Sequence, residues 1–208
     1  MGRKQLVSSL VHYRAASIKD IAVICRSIVE AGGGINEFLL EGIIPGMRIT
    51  QLISAAVLEP SSPLHYSNAV IAERGGVVIA MALAYPSEEF GMREELSVLV
   101  PAKRLSHMAA LFTNKVINTF YLHALWVNPS ERGSGMGREL LDYVNKTGRD
   151  RGFDQMSLHV WADNKIALGL YEGYGFRPVT TIAIGRTEEL NHEGGIILMA
   201  TERYERDC

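Results

Sequence analysis

The chain has 208 residues, with 21 Lys and Arg against 23 Asp and Glu and a formal net charge of −2. That balance argues against a nucleic-acid surface, and no apolar run approaches the roughly 20 residues a bilayer span needs. A hydrophobic share of 47% is ample for one core, so a single domain over 1–208 is expected.

The start, Met1 to Leu6, is basic but lacks the apolar run of a signal peptide, and Leu6 stands where a myristoylation signal wants Ser or Thr. Cys25 lies in a helical pattern and Cys208 is the last residue; both read as reduced thiols, hence a cytoplasmic protein. His12 to Ala16 reads as a short strand. Ser17 to Asp20 is a capping-box pattern, followed by apolar residues at helical spacing from Ile18 to Val29. Gly32-Gly33-Gly34 ends that helix. Ile35 to Ile44 and Met47 to Leu58 read as one helix broken at Pro45-Gly46.

Asn68 to Glu73 and Val77 to Tyr85 flank a glycine turn and predict a hairpin. Pro86 to Met92 is a polar loop. A mostly helical insertion follows over about 93–113, with Pro101 near a helix start. Phe120 to Val127 is the central strand and Glu139 to Arg149 its helix. Met156 to Trp161 is a strand and Asn164 to Tyr174 a helix. Thr180 to Ile184 and Ile196 to Ala200 form a last hairpin whose edges offer a surface for a homodimer. The middle strand–helix–strand unit requires a parallel pair through a right-handed crossover. The expected fold class is therefore α/β, with a mixed, mostly antiparallel sheet and helices on both faces.

The chain is organised around Phe120 to Gly137, a strand that runs into glycines and then a helix. Gly133, Gly135 and Gly137 allow the main chain to approach a bulky anion, and the helix adds its positive end. A P-loop would end in Gly-Lys-Ser/Thr, where Gly137-Arg138-Glu139 stands. A dinucleotide fingerprint would place its third glycine one residue later. Arg132-Gly133-Ser134-Gly135-Met136-Gly137 instead resembles the Arg/Gln-x-x-Gly-x-Gly/Ala loop of the GNAT superfamily of N-acetyltransferases. Asn164, Ala167, Leu170, Tyr171, Gly175 and Phe176 are similar to a second GNAT pattern, Asn-x-x-Ala-x-x-Leu-Tyr-x-x-x-Gly-Phe.

The resemblance implies acetyl-coenzyme A as co-substrate, no metal, and direct attack of an amine on the thioester. It implies that two parallel strands splay, that the backbone of Leu125, Trp126 and Val127 meets the pantetheine arm, and that the N–H of Leu125 polarises the carbonyl. The main-chain N–H groups from Arg132 to Arg138 would hold the pyrophosphate; the Arg132 side chain reads equally as a solvated loop charge. Asn164 is a helix cap on the face of Tyr171. Tyr171 would donate to the departing thiolate. Its reference pKa of about 10 exceeds that of a thiol at about 8.5, so full transfer is uphill by roughly 2 kcal/mol.

His123 to Val127 also looks like the His-Ala-Leu-x-Val strand of arylalkylamine N-acetyltransferases, whose strand histidines relay protons; Tyr121 stands where that pattern has a further histidine. By strand alternation Tyr121 and His123 share a face with Leu125 and Val127. His123 is the proposed base, with a sheet histidine as the plain alternative; His159 is ranked lower. Glu37, Glu41, Glu88, Glu89, Glu94 and Glu95 either favour a cationic acceptor or are solvated surface. The function expected is N-acetylation of a small-molecule amine, against acetylation of a protein or a non-catalytic acyl-CoA sensor.

Overall fold

The computed structural model describes residues 10–202; the basic stretch before residue 7 and Cys208 lie outside them. Seven strands, β1 (His12–Ala15), β2 (Ala69–Arg74), β3 (Val77–Pro86), β4 (Phe120–Val127), β5 (Met156–Trp161), β6 (Phe176–Ile182) and β7 (Ile196–Thr201), form one sheet in the order β1-β2-β3-β4-β5-β7-β6. The helices are α1 (Ile21–Gly32), α2 (Ile35–Leu40), α3 (Ile49–Leu58), α4 (Glu94–Ser97), α5 (Ala102–Thr113), α6 (Met136–Asp150) and α7 (Lys165–Tyr174). Among the described residues none is long and apolar enough to cross a membrane.

The two faces of the sheet are written in β3. Met81, Leu83 and Tyr85 pack with α1, α2, α3 and α5, while Ala80, Ala82 and Ala84 pack with α6 and α7. Alternation along a strand places these sets on opposite faces, and the alanines let α6 lie close. Cys25 is buried in the first layer, and burial raises its thiol pKa, which fits a packing role. The entry to α1 follows its capping pattern: the Ser17 N–H and hydroxyl donate to Asp20 Oδ2 at 2.8 and 2.9 Å.

Every neighbouring pair of strands is antiparallel except β4 and β5, which run parallel because α6 is the crossover between them. That parallel pair is short. It holds at Phe120–Met156, Tyr121–Ser157 and Leu122–Leu158, then stops. Beyond it, β4 continues against β3 as far as Val127, and β5 continues against β7 as far as Trp161. The facing edges of 123–127 and 159–161 are therefore open, as the expected splay requires.

Several boundaries differ from the sequence reading, most by a residue or two. β6 starts at Phe176 rather than Thr180. Pro178 is accommodated because β6 is an edge strand, where a missing N–H costs no ladder bond. A register shift beside Pro178 interrupts this edge, and such bulges hinder edge-to-edge pairing. α6 starts at Met136, not Glu139, with Gly135 as its left-handed cap at φ 92°. The broken second helix is two helices, α2 and α3, as the Pro45-Gly46 break suggests.

Candidate active site

A bulge changes the reading of β4. Leu83 pairs with Ala124, but the next residue, Ala84, pairs with Leu122, so His123 has no partner on β3. One extra residue reverses the alternation beyond it. Tyr121 and Ala124 belong to the layer of α1 and α5, whereas Leu125 and Val127 pack with α6 and α7. The expectation that Tyr121 and His123 share a face with Leu125 and Val127 is thus overturned. Tyr121 and His123 face the α1 side; Leu125 and Val127 face the α6 side. Trp126 also faces α1, where its indole N–H donates to the Glu30 carboxylate and Arg26 lies 5.5 Å over its ring.

The splay opens into a cavity of about 560 Å³ that runs from the glycine loop to α1, α2 and α5. At the loop end, Gly133, Gly135 and Gly137 with Met136 line it. Among the described residues, the main-chain N–H groups from 133 to 137 have no protein acceptor. The N–H groups of Arg132 and Arg138 do have acceptors, the carbonyls of Pro129 at 3.4 Å and Gly135 at 2.9 Å. A Cβ at Gly133 or Gly135 would meet nothing within 4 Å, so both open onto free space. Gly137 differs: its Cβ would lie 2.9 Å from Leu170 Cδ2. Its smallness serves the contact of α6 with α7.

The side chains of the arginines flanking the loop are engaged by the protein itself. Arg132 Nε–H donates to the Val127 carbonyl at 3.2 Å, and Arg138 Nη1–H donates to the Gly173 carbonyl at 3.2 Å, with its guanidinium 5.4 Å from the Tyr174 ring. Ser134 donates to the Glu131 carbonyl at 2.6 Å, which tightens the turn. Arg74 Nη1 donates to both Glu131 oxygens at 2.8 Å, which offsets a carboxylate placed beside an anion site.

Tyr171 lies across the splay, buried, with its ring edge-on to Phe176 at 5.7 Å. Among the described residues its hydroxyl has no hydrogen-bond partner, and burial pushes its pKa up to about 12. Asn164 accepts from the Ala167 N–H at 3.1 Å and caps α7 as read from the sequence. On the other side of the opening stand two tyrosine–histidine pairs. The Tyr85 hydroxyl lies 2.8 Å from His123 Nδ1, and the Tyr121 hydroxyl lies 3.0 Å from His159 Nδ1. Burial, with a smaller contribution from His159, lowers the His123 pKa to about 4; burial likewise lowers His159 to about 4. Both imidazoles are thereby held neutral at pH 7.

An opened parallel pair, unpartnered amides at a glycine turn and a phenol in the gap invite comparison with known proteins. The acetyltransferase (GNAT) family profile matches residues 53–176. The chain belongs to the GNAT acetyltransferase family. It is 40% identical over 62 residues to a mycothiol acetyltransferase of Beutenbergia cavernae, covering 30% of this chain and 21% of that protein. It is 31% identical over 121 residues to the [ribosomal protein bS18]-alanine N-acetyltransferase of Salmonella typhimurium, covering 56% of this chain and 82% of that one. The chain therefore spans about a fifth of the mycothiol acetyltransferase but most of the second relative. A solved acetyltransferase structure superposes with a TM-score of 0.67 at 24% identity, covering 94% of this chain and all of that one. The likeness is to the family; it does not single out arylalkylamine acetyltransferases.

The GNAT sheet thus brings Tyr121, His123, Leu125, Trp126, Val127, Arg132, Gly133, Gly135, Met136, Gly137, Arg138, Asn164 and Tyr171 to one cavity. Ser134 is in the same turn but does not line it. Of the glutamates considered as a cation trap, Glu37, Glu41, Glu88, Glu89 and Glu94 do not line it either. Glu30, Tyr85, Phe90, Leu111 and Phe112 went unread as site residues. An apolar wall of an opening and an apolar core share one sequence pattern, and only the fold shows which positions face the opening.

Proposed function

We propose that this chain transfers the acetyl group of acetyl-coenzyme A directly to the amine of a small molecule. The observation that carries the reading is the abrupt end of the β4–β5 ladder after Leu122–Leu158, with unpartnered amides at 133–137 at one end of the gap. Unpaired strand edges and a run of N–H groups without protein acceptors suit a ligand with amides in its arm and a pyrophosphate at its tail. Acetyl-coenzyme A supplies an activated thioester. The chain's residues then have three tasks: to hold the acyl carbonyl, to take a proton from the amine, and to meet the departing sulfur.

The backbone N–H of Leu125 is the proposed donor to the carbonyl. His123 is the proposed proton acceptor, fixed by Tyr85. A free alkylammonium, with a pKa of about 10.4, lies far beyond a histidine lowered to about 4. The acceptor therefore attacks from its small neutral-amine fraction, its first proton left in bulk water, and His123 takes the second proton after attack, when the nitrogen of the adduct has become strongly acidic. Tyr171 at about 12 remains protonated at neutral pH. Its role is to donate a hydrogen bond to the thiolate, since full transfer to a thiolate of about 8.5 would cost about 5 kcal/mol.

A covered acceptor side favours a small molecule over a peptide. His192 Nε2 lies 3.1 Å from the Gly33 carbonyl, and Trp161 donates to the Gly32 carbonyl at 3.4 Å, so the α1–α2 junction is tied down over β5. The test is coenzyme release from acetyl-coenzyme A with a panel of small amines and an alanine-starting peptide. Turnover with small amines supports the reading. Turnover with the peptide alone would replace it by protein acetylation, and acetyl-coenzyme A binding without any turnover would replace it by an acyl-CoA sensor.

A further inference from the structure

The acceptor end of the cavity has a clear division of chemistry. Its floor carries Tyr121, His123 and His159; its walls carry Leu39, Phe90, Leu111 and Phe112. Leu39, Phe90 and Leu111 are buried and Phe112 is half-buried. Phe90 lies face-near to both floor aromatics, 4.4 Å from the Tyr121 ring and 5.0 Å from that of His159, and its ring centroid is 6.4 Å from Phe112. Of the cavity's two carboxylates, Glu131 is engaged by Arg74, and Glu30 sits near the Trp126 end of β4, bound by its indole.

The wall is built to keep its shape. Lys115 donates to the carbonyls of Glu88 and Phe90 at 3.1 Å each, which pins the loop that carries Phe90. Arg104 donates to the Glu41 carbonyl at 2.7 Å, tying α5 to the end of α2. His107 Nε2 lies 2.9 Å from the Gly185 carbonyl, tying the other side of α5 to the segment after β6. The helical insertion between the hairpin and the central strand is therefore the third wall of the acceptor box, and it presents Leu111 and Phe112 inward.

The geometry points to an acceptor that is a primary amine with a compact apolar body, its nitrogen over His123 and its body between Phe90, Phe112, Leu111 and Leu39. The inference rests on the proposed acetyl transfer. It assigns acceptor selectivity to the α4–α5 insertion. An apolar compartment of this kind gains little from a polyamine or a peptide, whose charges and amides would lose water without finding partners.

The experiment is coenzyme release with isopentylamine, benzylamine, spermidine and glycinamide, run on the full chain and on Phe112→Trp and Phe112→Leu. Isopentylamine or benzylamine is expected to exceed spermidine and glycinamide in kcat/KM by about tenfold or more. Phe112→Trp, which fills the compartment, is expected to erase that preference by raising KM for the apolar amines, with the acetyl-coenzyme A Kd unchanged. Phe112→Leu is expected to retain the preference, which separates lost space from lost folding. Preference for spermidine or glycinamide, absence of turnover with both apolar amines, or an unchanged preference in Phe112→Trp would overturn the inference. Failure of the unaltered chain to bind acetyl-coenzyme A would instead overturn the acetyl-transfer reading beneath it.

Discussion

Tyr85 and His123 meet at 2.8 Å across the bulge that turns β4 over. Because His123 has no strand partner, its side chain orientation is set by this contact rather than by the ladder. Tyr85 is thus the positioning residue for the proposed proton acceptor. Removing the hydroxyl in Tyr85→Phe frees the ring to rotate. The expected outcome is a fall in kcat of about tenfold with the acid limb of the pH–rate profile displaced. His123→Ala should lose that limb altogether. A profile unchanged in His123→Ala would remove the residue from the proton path.

Tyr171 stands in the gap with no competing hydrogen-bond partner among the described residues, so its hydroxyl is available to a departing sulfur. Tyr171→Phe keeps the ring against Phe176 and deletes only the donor. We expect kcat to fall about tenfold or more, with the acetyl-coenzyme A Kd changed by less than about twofold. The matched measurements are steady-state turnover and calorimetric binding. Wild-type turnover in this variant would exclude the leaving-group role.

The three loop glycines do different work. Gly135 holds φ 92° and opens onto empty space. Gly135→Ala should cost about 1 kcal/mol of stability through the left-handed backbone. Its methyl group would also intrude on the amide cradle and weaken acetyl-coenzyme A binding by about tenfold. The methyl of Gly137→Ala would meet side-chain methyls of Leu170 and, at 3.9 Å, Leu125 rather than open space, so binding should stay within about threefold. Paired thermal and binding titrations distinguish the two.

Much of this was legible in the residues, and the misses have physical causes. Phe120–Val127 and Met156–Trp161 are runs of strand formers bounded by turn residues, and both occur with the bounds expected. The bulge at His123 was not readable, because a bulge is a property of two strands in register and nothing in the β4 sequence marks it. Pro178 hid the start of β6, since proline argues against a strand unless the strand is known to be an edge. The glycine loop and Tyr171 could be found because their chemistry demands residue types at fixed spacing. Phe90 and Phe112 could not, because an apolar wall of a pocket and an apolar core look alike until the opening is located.

The two neutral histidines make stability depend on pH. Their pKa values near 4 lie below the unfolded value of about 6.5. Between those values the unfolded chain binds more protons, so stability is complete above about pH 6.5 and declines as pH falls toward 4. Asp20, lowered to about 2 chiefly by its hydrogen bonds to Arg14, contributes a second and lower window, between about pH 4 and 2. Denaturant midpoints measured from pH 7.5 to 4.5 should fall, and the fall should be shallower in His159→Gln. A midpoint that is flat across that range would contradict neutral burial of both rings.

Gly34 tests whether the acceptor cover matters. It holds φ 86°, and a Cβ there would lie 2.0 Å from the Glu189 carbonyl oxygen, a backbone atom with little freedom to retreat. Gly34→Ala must therefore push the α1–α2 junction away from the segment that joins β6 to β7. The strain and overpacking together should cost about 2 to 3 kcal/mol. The displaced junction also carries Ile35 and Leu39, which line the acceptor end but not the glycine loop. The acetyl-coenzyme A Kd should therefore hold while KM for the amine rises by about tenfold. Equal loss of both affinities would mean that the junction supports the whole cavity rather than its acceptor half.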